Sequence, residues 1–125
     1  ISPTGFTNLG SMGFSLGDFE GNAVPVDERL LEDFGRHLPI GPIATVATCS
    51  GTDAAAAEVV RRTGALAEAM EGAAVVHAAR RLRVSAIEIR AISNTTGDRK
   101  LQQWDIQAGL AAMAAAMGKV LRSQS

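Results

Sequence analysis

The chain has 125 residues with 12 basic and 13 acidic side chains, a formal charge of -1 and a pI near 6.1. That is the size of one domain, without the cationic excess that nucleic acid or an anionic membrane surface demands. Hydrophobic residues make up 46%, but 22 of them are alanine, so the core is expected to be stacked from small side chains. The lone Cys49 excludes an internal disulfide, and no apolar run reaches the roughly 18 residues of a membrane helix, so a soluble, cytoplasmic single domain over residues 1–125 is the expectation.

From Ile1 to Pro25, glycines at 5, 10, 13, 17 and 21 alternate irregularly with Phe6, Phe14 and Phe19, which reads as loop with room for one short strand. Asp27 stands where a helix cap would, and Leu30, Leu31, Phe34 and Leu38 keep helical spacing until Pro39, predicting a helix over about 28–37. After the breaker Gly41-Pro42, the β-branched run Ile43 to Cys49 predicts a buried strand that ends in the turn Ser50-Gly51-Thr52. Asp53 opens an alanine-rich helix to about Arg62, closed by Gly64. Leu66 to Glu68 reads as a short extended piece, and a third helix is expected from about Glu71 to Arg81. Ala86 to Ile92 alternates as a strand does, with Ile87 and Ile89 flanking Glu88 and Arg90. The last helix, from Leu101 or Trp104 to Leu121, carries Leu110, Met113, Met117 and Val120 on one face.

This order is that of an α/β fold with parallel neighbouring strands. Ligands in such sheets sit beyond the carboxyl ends of the strands, here Ser50-Gly51-Thr52, Ala69-Met70-Glu71 and Ser93-Asn94, three segments expected to converge. Glu71 admits two readings: a carboxylate answering the positive end of a helix, or one held at the strand end to accept hydrogen bonds from ligand hydroxyls. Gly72 beside it would allow a ligand or backbone to come close. Asn94, in Ser93-Asn94-Thr95-Thr96-Gly97, is either turn chemistry or a second grip on the same polar ligand. His37 and His77 have no second histidine or cysteine at ligand spacing, so no metal is implied. Cys49 reads as a small core residue, Arg80, Arg81 and Arg83 as a solvated helix end, and the early glycines lack the Gly-Lys-Ser/Thr of a phosphate loop. Asp98-Arg99 and Trp104 are either an ion pair and a core anchor or the edge of a pocket.

Taken together, Ser50-Gly51-Thr52, Ala69-Met70-Glu71-Gly72-Ala73-Ala74 and Arg90-Ala91-Ile92-Ser93-Asn94 resemble the purine nucleoside phosphorylase and nucleosidase superfamily. Within it, Ser93-Asn94 followed by Gly97-Asp98-Arg99 and Trp104-Asp105-Ile106 looks most like the branch that removes hypoxanthine from futalosine in a menaquinone pathway. The resemblance covers about residues 5–121. It implies a three-layer sandwich, a mixed central sheet with helices on both faces, here lacking its N-terminal strands.

It further implies that Glu71 binds the ribose 2′ and 3′ hydroxyls, that Met70 packs on the sugar, and that Asn94 meets N7 and the 6-substituent of the purine. Relatives specific for adenine carry Asp at that last place. An amide can accept from N7–H while donating to a 6-oxo group, so Asn94 points to hypoxanthine or guanine. Ala54 departs from the aromatic residue that stacks on the base in adenine nucleosidases, and Phe19 is a candidate replacement. Ser93 and Thr52 complete the expected substrate contacts, with Arg99 a candidate for a substrate carboxylate. The implied partner is a small purine nucleoside; no cofactor, nucleic acid or membrane is implied. Relatives pair subunits next to the active site, so a homo-oligomer is expected. The glutamate that activates water belongs, in this superfamily, to an N-terminal half that would precede Ile1. The chain is therefore read as a C-terminal half or slightly more, dependent on a complementing N-terminal segment for activity. A 6-oxopurine nucleoside phosphorylase and an inactive α/β binding or oligomerisation fragment are the competing readings.

Overall fold

The computed structural model describes residues 7–13, 17 and 22–123, with four helices and one two-stranded parallel sheet among them. Helix α1 spans Glu28–Gly35. Its cap is Asp27, whose carboxylate accepts from the Leu30 N–H at 3.0 Å and from the Ser85 hydroxyl at 2.7 Å. The Asp27 N–H donates to Ala86 O at 3.0 Å, so one residue starts α1 and ties it to the segment after α3. Leu30, Leu31, Phe34 and Leu38 are half-buried along its inner side.

Strand β1 (Ile43–Thr45) pairs in parallel with β2 (Ala67–Ala69), in the register Ile43 to Ala67 and Thr45 to Ala69. Helix α2 (Asp53–Thr63) connects them. Its first turn is capped by the Thr52 hydroxyl, which accepts from Ala55 N–H at 3.2 Å, and it ends at Gly64 in the left-handed region, φ 64°. A side chain at Gly64 would be strained, as expected of a helix-closing glycine. Between α2 and the sheet lies the core of Ala44, Val59 and Ala65, against which Val46 packs. Small residues bring helix and sheet into close contact, as the alanine content predicts.

Helix α3 (Gly72–Arg81) follows β2 directly, and α4 (Ile106–Ser123) closes the chain. The Asp105 carboxylate accepts from Ala108 N–H at 2.8 Å, which sets the start of α4 after Trp104. Trp104 is 64% exposed, so it is not a core anchor.

Two expectations need correction. The strand predicted over 43–49 stops at Thr45; one further ladder bond, Val46 N–H to Ala69 O at 2.8 Å, is made before β2 turns into α3 and leaves nothing to pair with. The strand predicted over 86–92 is not formed. Its alternation is genuine, but a strand exists only through ladder bonds to a neighbour, and the described residues form no ladder with it. Ile87 to Ile92 instead lines an open, largely apolar cleft of about 410 Å³ with Leu31, Phe34, Ile43 and Leu66 on one side and Met113 of α4 on the other. The sheet among the described residues is thus small and parallel. No helix among the described residues is long and apolar enough to cross a membrane.

Candidate active site

The three segments expected to converge are linked at the carboxyl ends of β1 and β2. Ser50, 7% exposed, donates its N–H to the Glu68 carboxylate at 2.7 Å, joining the turn after β1 to the middle of β2. The loop 97–102 then docks on the same turn. Arg99 N–H reaches Gly51 O at 3.1 Å, and the Gln102 amide donates to Ser50 O at 3.2 Å and to Gly97 O at 3.0 Å. Asp98 N–H donates to the Asp53 carboxylate at 2.9 Å. Gly97, with φ 114°, sits where any Cβ would meet that carboxylate, so both the backbone and the space require glycine. The other end of the loop is fixed by Asp105 N–H to Ser93 O at 2.7 Å, with the buried Gly109 of α4 against Ser93.

Glu71 occupies the N-cap position of α3 but makes no capping hydrogen bond. The Thr45 hydroxyl does that work instead, accepting from Ala73 N–H at 3.0 Å across from β1. Glu88, whose side chain is only 14% exposed, lays its carboxylate against Gly72, where a methyl group would collide with it. A carboxylate at the first turn of a helix is favoured by the positive end of the dipole. Two other residues therefore serve the helix end, and the Glu71 side chain, 69% exposed, projects outward. Its one described ionic neighbour is Arg90, Nη2 to Oε2 at 3.6 Å. Arg90 holds Glu88 far more tightly, Nε to Oε1 at 2.6 Å.

The remaining expected site residues fall out differently. Met70 is 50% exposed beside Glu71. Ser93 donates its hydroxyl to the Asn94 side-chain oxygen at 3.0 Å, and the Asn94 amide nitrogen donates to Thr95 O at 3.0 Å. Asn94 thus bonds to its own chain neighbours, and a purine would have to exchange these local bonds for its own. Among the described residues no hydrogen bond or ion pair joins Glu71 to Asn94; the described bonds of Asn94 go to Ser93 and Thr95. The Thr52 hydroxyl caps α2. Arg99 does not pair with Asp98, whose carboxylate accepts from Lys100 N–H at 3.0 Å; its side chain lies over Gly51. Phe19 lies outside the described residues. Among the described residues, no group of three or more His, Cys, Asp or Glu is placed to hold a metal ion.

Thr45, Glu68, Glu88 and Gln102 organise this region and were not singled out from the sequence. Their signals were weak, since Glu68 and Glu88 look like solvent-facing positions of strands and Gln102 like loop. The polar end could have been inferred only from the register that sets Glu68 opposite Ala44.

The family profile described as "Phosphorylase superfamily" matches residues 20–123. The futalosine hydrolase of Acidothermus cellulolyticus is 43% identical over 116 residues, 88% of this chain and 46% of that protein. The futalosine hydrolase of Streptomyces coelicolor is 46% identical over 81 residues, 64% of this chain and 34% of that protein. The futalosine hydrolase of Thermus thermophilus is 34% identical over 124 residues, 96% of this chain and 55% of that protein. The chain thus spans about half, or less, of the length of these curated relatives. No solved structure matches it significantly.

Proposed function

The chain belongs to the phosphorylase superfamily, and from that premise we propose that it forms part of a nucleosidase that hydrolyses the N-glycosidic bond of futalosine and releases hypoxanthine, a step of menaquinone biosynthesis. The observation that carries the reading is the state of Glu71. Its helix is capped by Thr45 and its dipole answered by Glu88, so the carboxylate is left with open acceptor sites at the strand end. An ionised carboxylate offers about four lone-pair positions, enough for two vicinal hydroxyls of a ribose.

In this mechanism the glycosidic bond lengthens, positive charge grows on the ribosyl ring and the bonding electron pair departs with the purine. Glu71 stabilises the cationic sugar through its hydroxyls, and Asn94 supports N7 as it takes up a proton. Water adds to the anomeric carbon and gives its proton to a base. Met70, Ser93, Thr52 and Phe19 would complete the pocket, with Arg99 facing the substrate's carboxylate. Asn94 selects a 6-oxopurine because its amide can turn one end to N7–H and the other to the 6-oxo oxygen. A 6-amino group would leave a donor unpaired at a cost of about 1–3 kcal/mol.

The base that activates water belongs, on this reading, to sequence complementary to this chain, within the wider three-layer sandwich of the superfamily and a homo-oligomer of it. Two features support that part. The segment 86–92 has strand-like sequence but no ladder partner among the described residues, and the cleft it lines is largely apolar and open. The test is release of hypoxanthine from futalosine by the chain alone and after mixing with the portion of the Acidothermus protein outside the matched region, with and without phosphate. Turnover only in the mixture, independent of phosphate, is the expected result. Full turnover by the chain alone refutes the need for a complement, and a phosphate requirement makes the enzyme a phosphorylase.

A further inference from the structure

Arg90 stands between two carboxylates and treats them unequally. Its Nε lies 2.6 Å from Glu88 Oε1, whereas Nη2 lies 3.6 Å from Glu71 Oε2, too far for a hydrogen bond. The guanidinium carries five N–H donors in a fixed fork, and turning it toward Glu71 would let it take both oxygens of that carboxylate at once. Such a pair would fill the acceptor sites that a sugar needs.

What prevents the turn is the setting of Glu88. Its side chain is 14% exposed against 69% for Glu71, so its bond to Arg90 is less screened by water. Its carboxylate is seated on Gly72 at the first turn of α3, where the helix's positive end favours it and the lack of a Cβ gives it room. The helix therefore fixes Glu88, and Glu88 fixes Arg90.

We propose that Glu88 is a positioning residue for Glu71: by holding Arg90 it keeps the cation from closing on the Glu71 carboxylate, which stays open to the vicinal hydroxyls of a ribose. This deepens the reading of Glu71 as the sugar-binding carboxylate and rests on it. Glu88 touches no substrate in this scheme. Its effect passes entirely through where the Arg90 guanidinium is kept.

The test has two arms, one free of ligand. In the first, the Arg90 Nε–H resonance is followed by NMR in the wild-type chain and in Glu71→Gln, Glu88→Gln and the double variant. With Glu88 present, Glu71→Gln should leave the resonance nearly unmoved. In the Glu88→Gln background the same change should shift it strongly, because Arg90 has by then moved to Glu71. A large response to Glu71→Gln with Glu88 intact overturns the proposal.

In the second arm, inosine and 2′,3′-dideoxyinosine are titrated into the chain together with the complementing portion of the Acidothermus protein. Wild type should prefer inosine by about tenfold, the value of one or two hydrogen bonds to a charged acceptor. Glu88→Gln should bring the preference to about twofold or less with dideoxyinosine affinity unchanged, and Glu88→Gln with Arg90→Gln should restore most of it. Equal loss for both ligands in Glu88→Gln marks a merely structural anchor and overturns the proposal. If the first arm behaves as expected but wild type has no preference for inosine, the assignment of Glu71 to the sugar is what fails, and the binding role of Glu88 fails with it.

Discussion

At the carboxyl ends of β1 and β2, polar groups find partners across three segments: Ser50 with Glu68, Gln102 with Ser50 and Gly97, Asp98 with Asp53, Ala73 with Thr45. At the amino ends the same two strands open onto Leu31, Phe34, Leu38, Ile87 and Met113, around a cleft of about 410 Å³. Leu66 is 69% exposed there, and Ile40 55%. Directional bonds set the first end within this chain alone. The second end is largely apolar, with Glu88 and Arg90 the charged residues along it, and apolar surface gains its stabilisation when something covers it. The two ends should therefore answer to different substitutions.

The largest effect is expected at Glu71. In the complemented enzyme, Glu71→Ala should lower kcat by about two to three decades, the usual consequence of removing one preorganised electrostatic contact, with little change in melting temperature. A large fall in stability would instead return Glu71 to a helix-end role and break the contrast drawn above. Next comes the core that separates the two ends. Val59 is 3% exposed and Val60, one residue on, is 55% exposed. Val59→Ala should cost about 2 kcal/mol, from two lost methyl groups and a partly unfilled space. Val60→Ala should stay within about 0.5 kcal/mol. Urea unfolding of both variants checks the pair, and similar costs would mean that α2 does not pack as described.

A smaller effect is expected at Thr45, which joins the polar end to the sheet. Thr45→Val keeps the shape and β propensity of the strand but removes the acceptor for Ala73 N–H. Stability should fall by about 1 kcal/mol, the worth of a helix cap. Because Glu71 occupies the N-cap position, it should also turn inward to accept from the freed N–H and lose affinity for ribose. Titration with inosine measures that second consequence; unchanged affinity would show that Glu71 stays outward without help from Thr45.

How much of this was legible follows from the range of the forces concerned. Asp27 and Gly64 sit where local signals put them, because caps and closing glycines act within one turn of their own helix. The α/β order, β2 and the start of α3 were readable for the same reason. Glu71 was readable as a residue with two meanings, whereas the cap that α3 takes from Thr45, 28 positions from Ala73 in the chain, was not readable locally. The strand over 86–92 was misread because alternation reports a two-sided environment, not a bonded neighbour, and the only sheet among the described residues is β1 with β2. Asn94 was read for what it could offer a purine, while its nearest partners, Ser93 and Thr95, are its own neighbours. Adjacent polar groups satisfy each other first when nothing else is present.

The smallest effect belongs to a surface cluster remote from both ends. Glu58 accepts from Arg61 at 2.7 Å and from Arg62 at 2.6 Å, one turn further along α2. The hydrogen bonds from these two guanidinium groups, Arg61 first, hold its carboxyl below the ordinary glutamate value of 4.5, at about 2. A carboxyl depressed in the folded state favours folding above its unfolded value, and that contribution is lost as pH falls from about 4.5 through about 2. Melting temperatures of wild type and Glu58→Gln should therefore differ slightly near neutrality and converge across that window. Part of the acid sensitivity will persist in the variant, because Asp27 is also held below its usual value, chiefly by the Ser85 hydroxyl. The pairs are exposed and screened, so the gap should shrink further in high salt. A gap that is constant with pH would assign the loss to helix packing, and would leave Glu58 without an electrostatic part in the stability of α2.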